Sequence, residues 1–174
     1  IARRSANVWT LTARGKSGHS STIFSASAGD GAIFELARIL DAFRNELPEP
    51  NLTFNVGLLG GGQQATFDAG KSHLTASGKD NIIPPIAVAS GDFRTLSAEQ
   101  TKRVRGKMQA IVARHLAQTD AVLEIEQHHP AGPAGLLVIG QGSRFHPFGG
   151  GSIKGLIARK GRRGQNQSNA ACNP

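Results

Sequence analysis

Hydrophobic and polar residues follow two periods along the chain, and the shorter period predicts four β-strands. Residues 6–13 are rich in β-forming residues and predict the first strand. Residues 52–59 alternate between apolar and polar and predict a half-buried second strand, which the run of glycines at 60–62 ends. Residues 86–94 and 121–127 predict the third and fourth strands. The expected buried face of the second strand consists of Leu52, Phe54, Val56 and Leu58.

The longer period predicts a first helix from about residue 32 to residue 47. Its apolar residues recur at helical spacing and are Ile33, Leu36, Ala37, Leu40, Phe43 and Leu47. Asp30 lies just before the helix, where we expect its carboxylate to cap free backbone N–H groups. Pro48 and Pro50 follow and stop the helix, because proline has no backbone N–H to donate.

Ser97 and Gln100 have the spacing of a capping box and predict the start of a second helix. We expect this helix to run to about Leu116, with one apolar face made of Val104, Met108, Ile111 and Val112. Residues 63–85 are irregular and leave room for a small hairpin. The order βαββαβ predicts an α+β fold, a ferredoxin-like sandwich with two helices on one face of a four-stranded antiparallel sheet.

The positive charge of the chain is concentrated at its C-terminal end. The 174 residues carry a formal net charge of +8, but residues 136–174 contain none of the 12 Asp and Glu residues. This segment also contains a glycine run at 149–151 and a polar stretch of Gln, Asn and Ser. Such a composition is unusual for a packed segment. We therefore expect one domain at 1–134 and a Gly/Arg-rich tail at 135–174, which is either disordered and basic or a non-native extension.

Three segments carry side chains suited to catalysis or substrate binding. His19 lies in a Gly- and Ser-rich loop after the first strand, where an exposed imidazole is able to donate to a developing oxyanion. Asn81 precedes an apolar-Pro turn and offers a donor and an acceptor. Arg94 ends the third strand and offers a fork suited to a carboxylate. Taken singly, these residues are more typical of a solvated loop, a turn, and a surface ion pair with Asp92 or Glu99.

The sequence offers no compact set of metal ligands. Cys172 is the one cysteine, which excludes an intrachain disulfide and a zinc site built from cysteines. His128 and His129 are adjacent and point to opposite faces of a strand, so a solvated strand end is the favoured interpretation. The isolated histidines, which we expect at the surface, are His73, His115 and His146. We therefore expect this chain to bind no metal or other cofactor.

The ordered set of motifs resembles the dimerisation (lid) domain of the aminoacylase and glutamate carboxypeptidase family of two-zinc exopeptidases. The motifs are Gly-Lys-x-x-His-Ser-Ser after the first strand, Asn-Ile-Ile-Pro before the third, and Gly-Asp-Phe-Arg at its end. The resemblance covers about residues 3–134. Because the chain begins with Ile1 rather than methionine, we also expect that residue 1 is not the natural start of the protein.

The resemblance implies a role for each of the three candidate residues. His19 matches a histidine that each lid sends into its partner's active site to stabilise the oxyanion. Asn81 matches a substrate-contacting asparagine, and Arg94 matches an arginine that binds the substrate's free carboxylate. The resemblance further implies a homodimer, a peptide or N-acyl amino acid substrate, and a separate catalytic domain with two zinc ions and a glutamate base. The isolated chain is then expected to be inactive.

Two other functions are compatible with this fold. An RNA-binding module would use the basic tail, but such modules stack bases on aromatic residues of the sheet, and this chain has no tyrosine and only 5% aromatic residues. A dimeric small-molecule sensor would bind a ligand between the helices and a partner. No apolar run approaches the roughly 20 residues that a membrane-spanning helix needs. We therefore expect neither nucleic acid nor a membrane as a partner.

Overall fold

A four-stranded antiparallel sheet organises the computed structural model, which describes residues 2–133. The predicted tail at 135–174 lies outside the described residues. The central order, β2-α1-β4-β8-α2-β9, confirms the predicted βαββαβ sequence of elements. The elements are β1 (Ala2–Arg3), β2 (Ala6–Gly15), β3 (Gly18–His19), a short 3-10 helix (Ser20–Thr22), α1 (Ala32–Glu46), β4 (Thr53–Gly62), β5 (Gln64–Asp68), β6 (His73–Ser77), β7 (Ile82–Ile83), β8 (Ile86–Arg94), α2 (Ala98–Val112), β9 (Thr119–His129) and β10 (Gly132–Pro133).

The strands of the main sheet lie in the order β4-β8-β2-β9, and every neighbouring pair is antiparallel. Strand β8 pairs with β2 from Phe93 opposite Asn7 to Ile86 opposite Arg14. The first and third strands of the βαββαβ order are therefore central, and the second and fourth lie at the edges. This arrangement confirms the predicted ferredoxin-like fold.

One face of the sheet is buried beneath the two helices. Trp9 lies at the centre of this core, edge-on to Phe43 with ring centroids 6.0 Å apart and stacked on Phe54 at 5.3 Å. Fully burying a large apolar side chain contributes roughly 1.5–3 kcal/mol, so this cluster is the main source of stability. Its other buried members include Leu11, Ala13, Leu36, Ile39, Ala87, Ala89, Phe93, Val104, Met108 and Ile111.

The opposite face of the sheet, termed the open face, is not covered by a helix. Side chains alternate between the two faces along each strand, so every second residue points away from the core. The open face carries Val8, Thr10, Thr12, Ile86, Val88, Ser90, Glu124 and Glu126. The aromatic residues of the four main strands all lie on the other face, in or against the core.

Strand β4 departs from its predicted alternation at Gly57. The register of β4 against β8 shifts between Val56 and Leu58, which marks a β-bulge. An extra residue turns the side chains beyond it to the other face. Leu58 therefore lies opposite Ser90 of the open face instead of in the core, and Val56 is exposed, contrary to the prediction.

The glycines at 60–62, predicted to end this strand, instead remain inside β4 and pair with β8. They lie beneath the β5–β6 hairpin, which confirms the small hairpin predicted for this part of the chain. A Cβ atom added to Gly60 would lie 2.9 Å from Leu74, and one added to Gly62 would meet the carbonyl of Ser77. These positions need glycine because the hairpin passes so close to the strand.

Helix α1 has the predicted extent, but its N-terminal cap differs. The capping residue is Gly31, at φ +80°, and no side chain caps the helix. Asp30 is therefore not the cap, contrary to the prediction. The chain turns into the helix one residue later than expected, with a positive φ that favours glycine.

Helix α2 begins as predicted and ends early. The Ser97 hydroxyl accepts a hydrogen bond from the Gln100 N–H at 3.1 Å, and the Gln100 side chain accepts one from the Leu96 N–H at 2.9 Å. The helix ends at Val112 rather than near Leu116. Beyond Val112, the Arg114 N–H donates to the Ile111 carbonyl three residues back, and the Leu116 N–H donates to a carboxylate of α1, so neither continues the α-helical pattern.

That carboxylate belongs to Glu35, which is fully buried and ties α1 to the end of α2. It accepts hydrogen bonds from Arg38 at 2.7 and 3.1 Å and from the Leu116 N–H at 2.9 Å. His115 is exposed, as predicted, but it is not isolated, because its Nδ1 lies 3.3 Å from the same carboxylate. Burial by itself raises the pKa of Glu35, but the hydrogen bonds and the charge of Arg38 outweigh it and lower the pKa.

Glu35→Ala is expected to reduce the free energy of unfolding by about 3 kcal/mol, because it leaves buried donors without a partner. Urea denaturation followed by circular dichroism measures the loss. Asp41→Ala is the matched control on the exposed side of the same helix, where the contact with Arg44 is 4.0 Å. Its effect is expected to stay within about 0.5 kcal/mol, and equal losses for the two variants would contradict the role of Glu35.

The lowered pKa of Glu35 also predicts a dependence of stability on pH. A depressed native pKa means that the stabilisation is complete above the ordinary glutamate value of about 4.3 and is lost as pH falls through the native value. Thermal unfolding between neutral and acidic pH is therefore expected to show a steeper loss for the unmutated chain than for Glu35→Ala. If the unmutated chain and Glu35→Ala lose stability equally as pH falls, the lowered pKa of Glu35 is contradicted.

Candidate functional site

His19 lies at an exposed turn just beyond the end of β2. With Gly18 it forms the short strand β3, which pairs antiparallel with β7, so that His19 stands opposite Ile82. It is also the capping residue of the 3-10 helix Ser20–Thr22. These backbone contacts hold the base of an otherwise exposed side chain.

The ring of His19 is oriented by the residue two positions after it. Nδ1 accepts a hydrogen bond from the Ser21 N–H at 3.2 Å, and the Ser21 hydroxyl lies 2.9 Å from the same nitrogen. Because Nδ1 needs a free lone pair to accept from an N–H, the neutral ring carries its proton on Nε2. The exposed imidazole is therefore set up as an N–H donor, which is what stabilisation of an oxyanion requires.

Asn81 lies beside His19 at the same end of the domain. The Ser20 N–H donates to the Asn81 carbonyl at 2.9 Å, directly after the β3–β7 pair. Asn81 itself is exposed, while Ile83 is buried and anchors the turn that follows. The structure thus brings His19 and Asn81 together at one end, termed the His19 rim and formed by residues 18–22 and 79–83.

Arg94 lies at the other end of the sheet. It is the last residue of β8, whose first residue, Ile86, follows the His19 rim. At about 3.3 Å per residue, this strand holds its two ends roughly 26 Å apart. Nε of Arg94 lies 3.4 Å from Oδ2 of Asp92, the surface ion pair considered from the sequence. Within one chain, Arg94 therefore lies far from His19 and Asn81.

Sequence reasoning missed an exposed apolar strip along α1 and β4. Periodicity assigned Ile33 and Val56 to buried faces, but both are exposed, as are Phe34 and Leu59. The sequence did contain a signal of this strip, because the apolar residues of α1 cover more of the helix surface than packing against the core alone requires. We term these four residues, with the half-buried Leu40 between them, the apolar edge; exposed patches of this kind mark interaction surfaces.

Among residues 2–133, the remaining histidines form no recognisable site. His128 and His129 are both exposed at the end of β9, which confirms the predicted solvated strand end. Within residues 2–133, no three His, Cys, Asp or Glu side chains are grouped so that they could hold a metal ion. His146 and Cys172 lie outside the described residues. No helix in the described part of the chain is long and apolar enough to cross a membrane.

Comparison with known proteins adds a family and a set of similar folds. The sequence profile of the peptidase dimerisation domain matches residues 1–120. A tripeptidase from Staphylococcus aureus superposes with a TM-score of 0.59 at 16% identity, over 78% of this chain and 32% of that one. Aminopeptidase PepT from Bacillus cereus gives 0.55 at 17% identity, over 75% and 31%. A hydantoinase/carbamoylase family amidase from Burkholderia multivorans gives 0.56 at 14% identity, over 76% and 29%.

These likenesses establish the fold alone, because sequence identities this low show nothing beyond it. The chain spans about a third of the length of each of these solved structures. No curated protein matches the sequence significantly.

Neutral His19 is expected to carry its proton on Nε2, and nitrogen-15 NMR of the ring measures the ratio of the two tautomers. Ser21→Ala removes one of the two donors to Nδ1 and is expected to weaken the preference for Nε2–H. Ser20→Ala is the control, since its hydroxyl makes no hydrogen bond to the ring among the described residues. A ring protonated mainly on Nδ1 would refute the assigned orientation.

Proposed function

This chain belongs to the peptidase dimerisation domain family, and we propose that it is the dimerisation and active-site lid domain of a zinc-dependent peptidase or amidase of the carboxypeptidase or aminoacylase type. The observation that carries the proposal is the separation of the candidate residues. His19 and Asn81 share one rim, whereas Arg94 lies at the far end of the same sheet. Two copies of the chain are needed to complete one site.

The apolar edge is the surface that best fits a second copy of the chain. Strand β4 lies at one edge of the sheet, and an unpaired strand edge offers free N–H and C=O groups to another strand. A two-fold axis brings the same patch of each subunit together, so exposed Leu59 and Phe34 would meet apolar partners. The other edge, β9, is flanked by polar side chains of α2 and β9, among them Lys102, Arg105 and Gln109.

A two-fold axis at this edge would also assemble the site. Strand β4 runs from Thr53, opposite Arg94, to Gly62, opposite Ile86. Two copies of β4 related by a two-fold axis perpendicular to the sheet run antiparallel, so the Arg94 end of one copy lies beside the His19 rim of the other. Each composite site then takes Arg94 from one chain and His19 and Asn81 from its partner.

The three side chains have complementary roles in this composite site. Arg94 exchanges its contact with Asp92 for a bidentate grip on the substrate carboxylate, which orients the scissile bond. The Nε2–H of His19 donates to the oxyanion, and the Asn81 amide donates to or accepts from the substrate. The substrate class is a peptide or an N-acyl amino acid with a free carboxylate.

The zinc ions of this proposal belong to a catalytic domain. The described residues gather no group of metal ligands, so the lid holds and orients the substrate while the metals supply an activated water. Closure of the lid brings His19 and Arg94 to the substrate and excludes bulk water.

The RNA-binding alternative is not supported. Modules of that kind stack bases on aromatic side chains of the exposed sheet face. Here the aromatic residues of the four main strands, Trp9, Phe54 and Phe93, lie on the core side of the sheet. The open face instead carries the carboxylates of Glu124 and Glu126, which repel a phosphate backbone.

Light scattering on the purified chain is expected to give a mass near twice 18.2 kDa. Leu59→Arg is expected to shift the chain toward the monomer on dilution, because it places a charge in the apolar edge. Val122→Arg is the matched control on the opposite edge strand, where the side chain is 49% exposed against 62% for Leu59. Loss of the dimer in the control and not in Leu59→Arg would exclude β4 as the interface.

Mixing two impaired variants tests the composite site in the full-length enzyme. His19→Ala is expected to lower kcat by about a hundredfold, as removal of other oxyanion donors does. Arg94→Ala is expected to raise KM through loss of the carboxylate contact. A heterodimer of the two variants contains one intact site, so activity should return on mixing. No recovery in a verified heterodimer would show that the three residues do not act in one shared site.

A further inference from the structure

The β5–β6 hairpin folds back across part of the open face. Val88 and Ser90 lie on that face, yet they are only 4% and 8% exposed, because the hairpin lies over them. The inward side of the hairpin is formed by the half-buried Phe67 and Leu74, which stand opposite each other in its two strands. We term residues 64–77 the flap.

A groove of about 310 Å³ lies between the tip of the flap and the sheet. Its walls include the apolar side chains of Val8, Leu58 and Phe67. Polar groups line it at Ser72 and Asp92. The bulge at β4 helps to form the groove, because it turns Leu58 onto the open face.

The groove lies next to Arg94. Oδ2 of Asp92, which lines the groove, is 3.4 Å from Nε of Arg94. Residues two apart in a strand point to the same face, so Asp92 and Arg94 both project from the open face. A molecule whose carboxylate binds Arg94 therefore has an apolar hollow within reach of the atoms beside that carboxylate.

We propose that this groove binds the side chain of the residue whose carboxylate binds Arg94, and that Phe67 on the flap determines which side chains fit. The inference rests on the role of Arg94 in the proposed function. The volume is at the lower limit for ligand pockets, which suits one aliphatic or aromatic side chain rather than a longer peptide. The carboxylate of Asp92 disfavours an acidic side chain, so the substrates are apolar at this position.

Titration of the isotope-labelled 174-residue chain with three probes tests the inference by NMR. N-acetyl-L-leucine is expected to shift the amide signals of Leu58 and Ser72 together with the Arg94 Nε–H signal. It is expected to bind about tenfold more tightly than N-acetylglycine, as filling an apolar pocket does. N-acetyl-L-glutamate is expected to bind no better than N-acetylglycine.

Two matched variants separate the groove from the stability of the flap. Phe67→Ala is expected to abolish the preference for the leucine derivative. Leu74→Ala removes a similar amount of packing from the same face of the flap but does not line the groove, so the preference should remain. Loss of the preference in both variants, or in neither, would overturn the assignment of Phe67.

The outcomes also distinguish this inference from the proposed function. If Arg94 responds equally to all three probes, the groove assignment fails and the carboxylate role of Arg94 stands. If groove amides respond to N-acetyl-L-leucine while Arg94 stays silent, the groove binds an apolar group, but the carboxylate role of Arg94 fails and so does the inference that rests on it. If neither the groove amides nor Arg94 responds to any probe, both the groove assignment and the carboxylate role of Arg94 are overturned.

Discussion

The pairing of β8 on both sides is the constraint on which the rest of this structure depends. Strand β8 is hydrogen-bonded to β4 along one side and to β2 along the other. A strand held this way does not bend to bring its ends together, so the turn that carries Asn81 and the terminal Arg94 remain apart. Dimerisation is then part of how the proposed site is built, because only a second copy supplies the missing end.

Helix α1 links the core to the surface that we assign to the second copy. Its buried side contributes Leu36, Ile39 and Phe43 to the core. Glu35 anchors it to the end of α2 through two contacts, with His115 and with the Leu116 N–H. A helix held so firmly on one side presents its other apolar residues to solvent at fixed positions. Such an arrangement suits an interface that forms with little rearrangement.

The open face shows how a small insertion changes the chemistry of a common fold. The flap covers the half of the sheet near β8 and β4 and leaves the half near β9 to water. It lies close to the sheet only because Gly60 and Gly62 have no side chains. The same hairpin forms one wall of the groove beside Arg94, so a local choice of glycine in β4 shapes the surface that we propose contacts the substrate.

The sequence by itself determined the elements and their order, because periodicity reports which side of a strand or helix is apolar. It predicted α1, β8 and the start of α2 closely, and the motifs around His19, Asn81 and Arg94 carried the resemblance to the family. It misassigned Val56 and the glycines at 60–62, since a bulge and a hairpin that passes over a strand arise from contacts between distant residues and leave no periodic signal. Only the tertiary structure decided that His19 and Asn81 share one rim while Arg94 lies at the other end, because strand register, not local pattern, sets the distance between residues far apart in the chain.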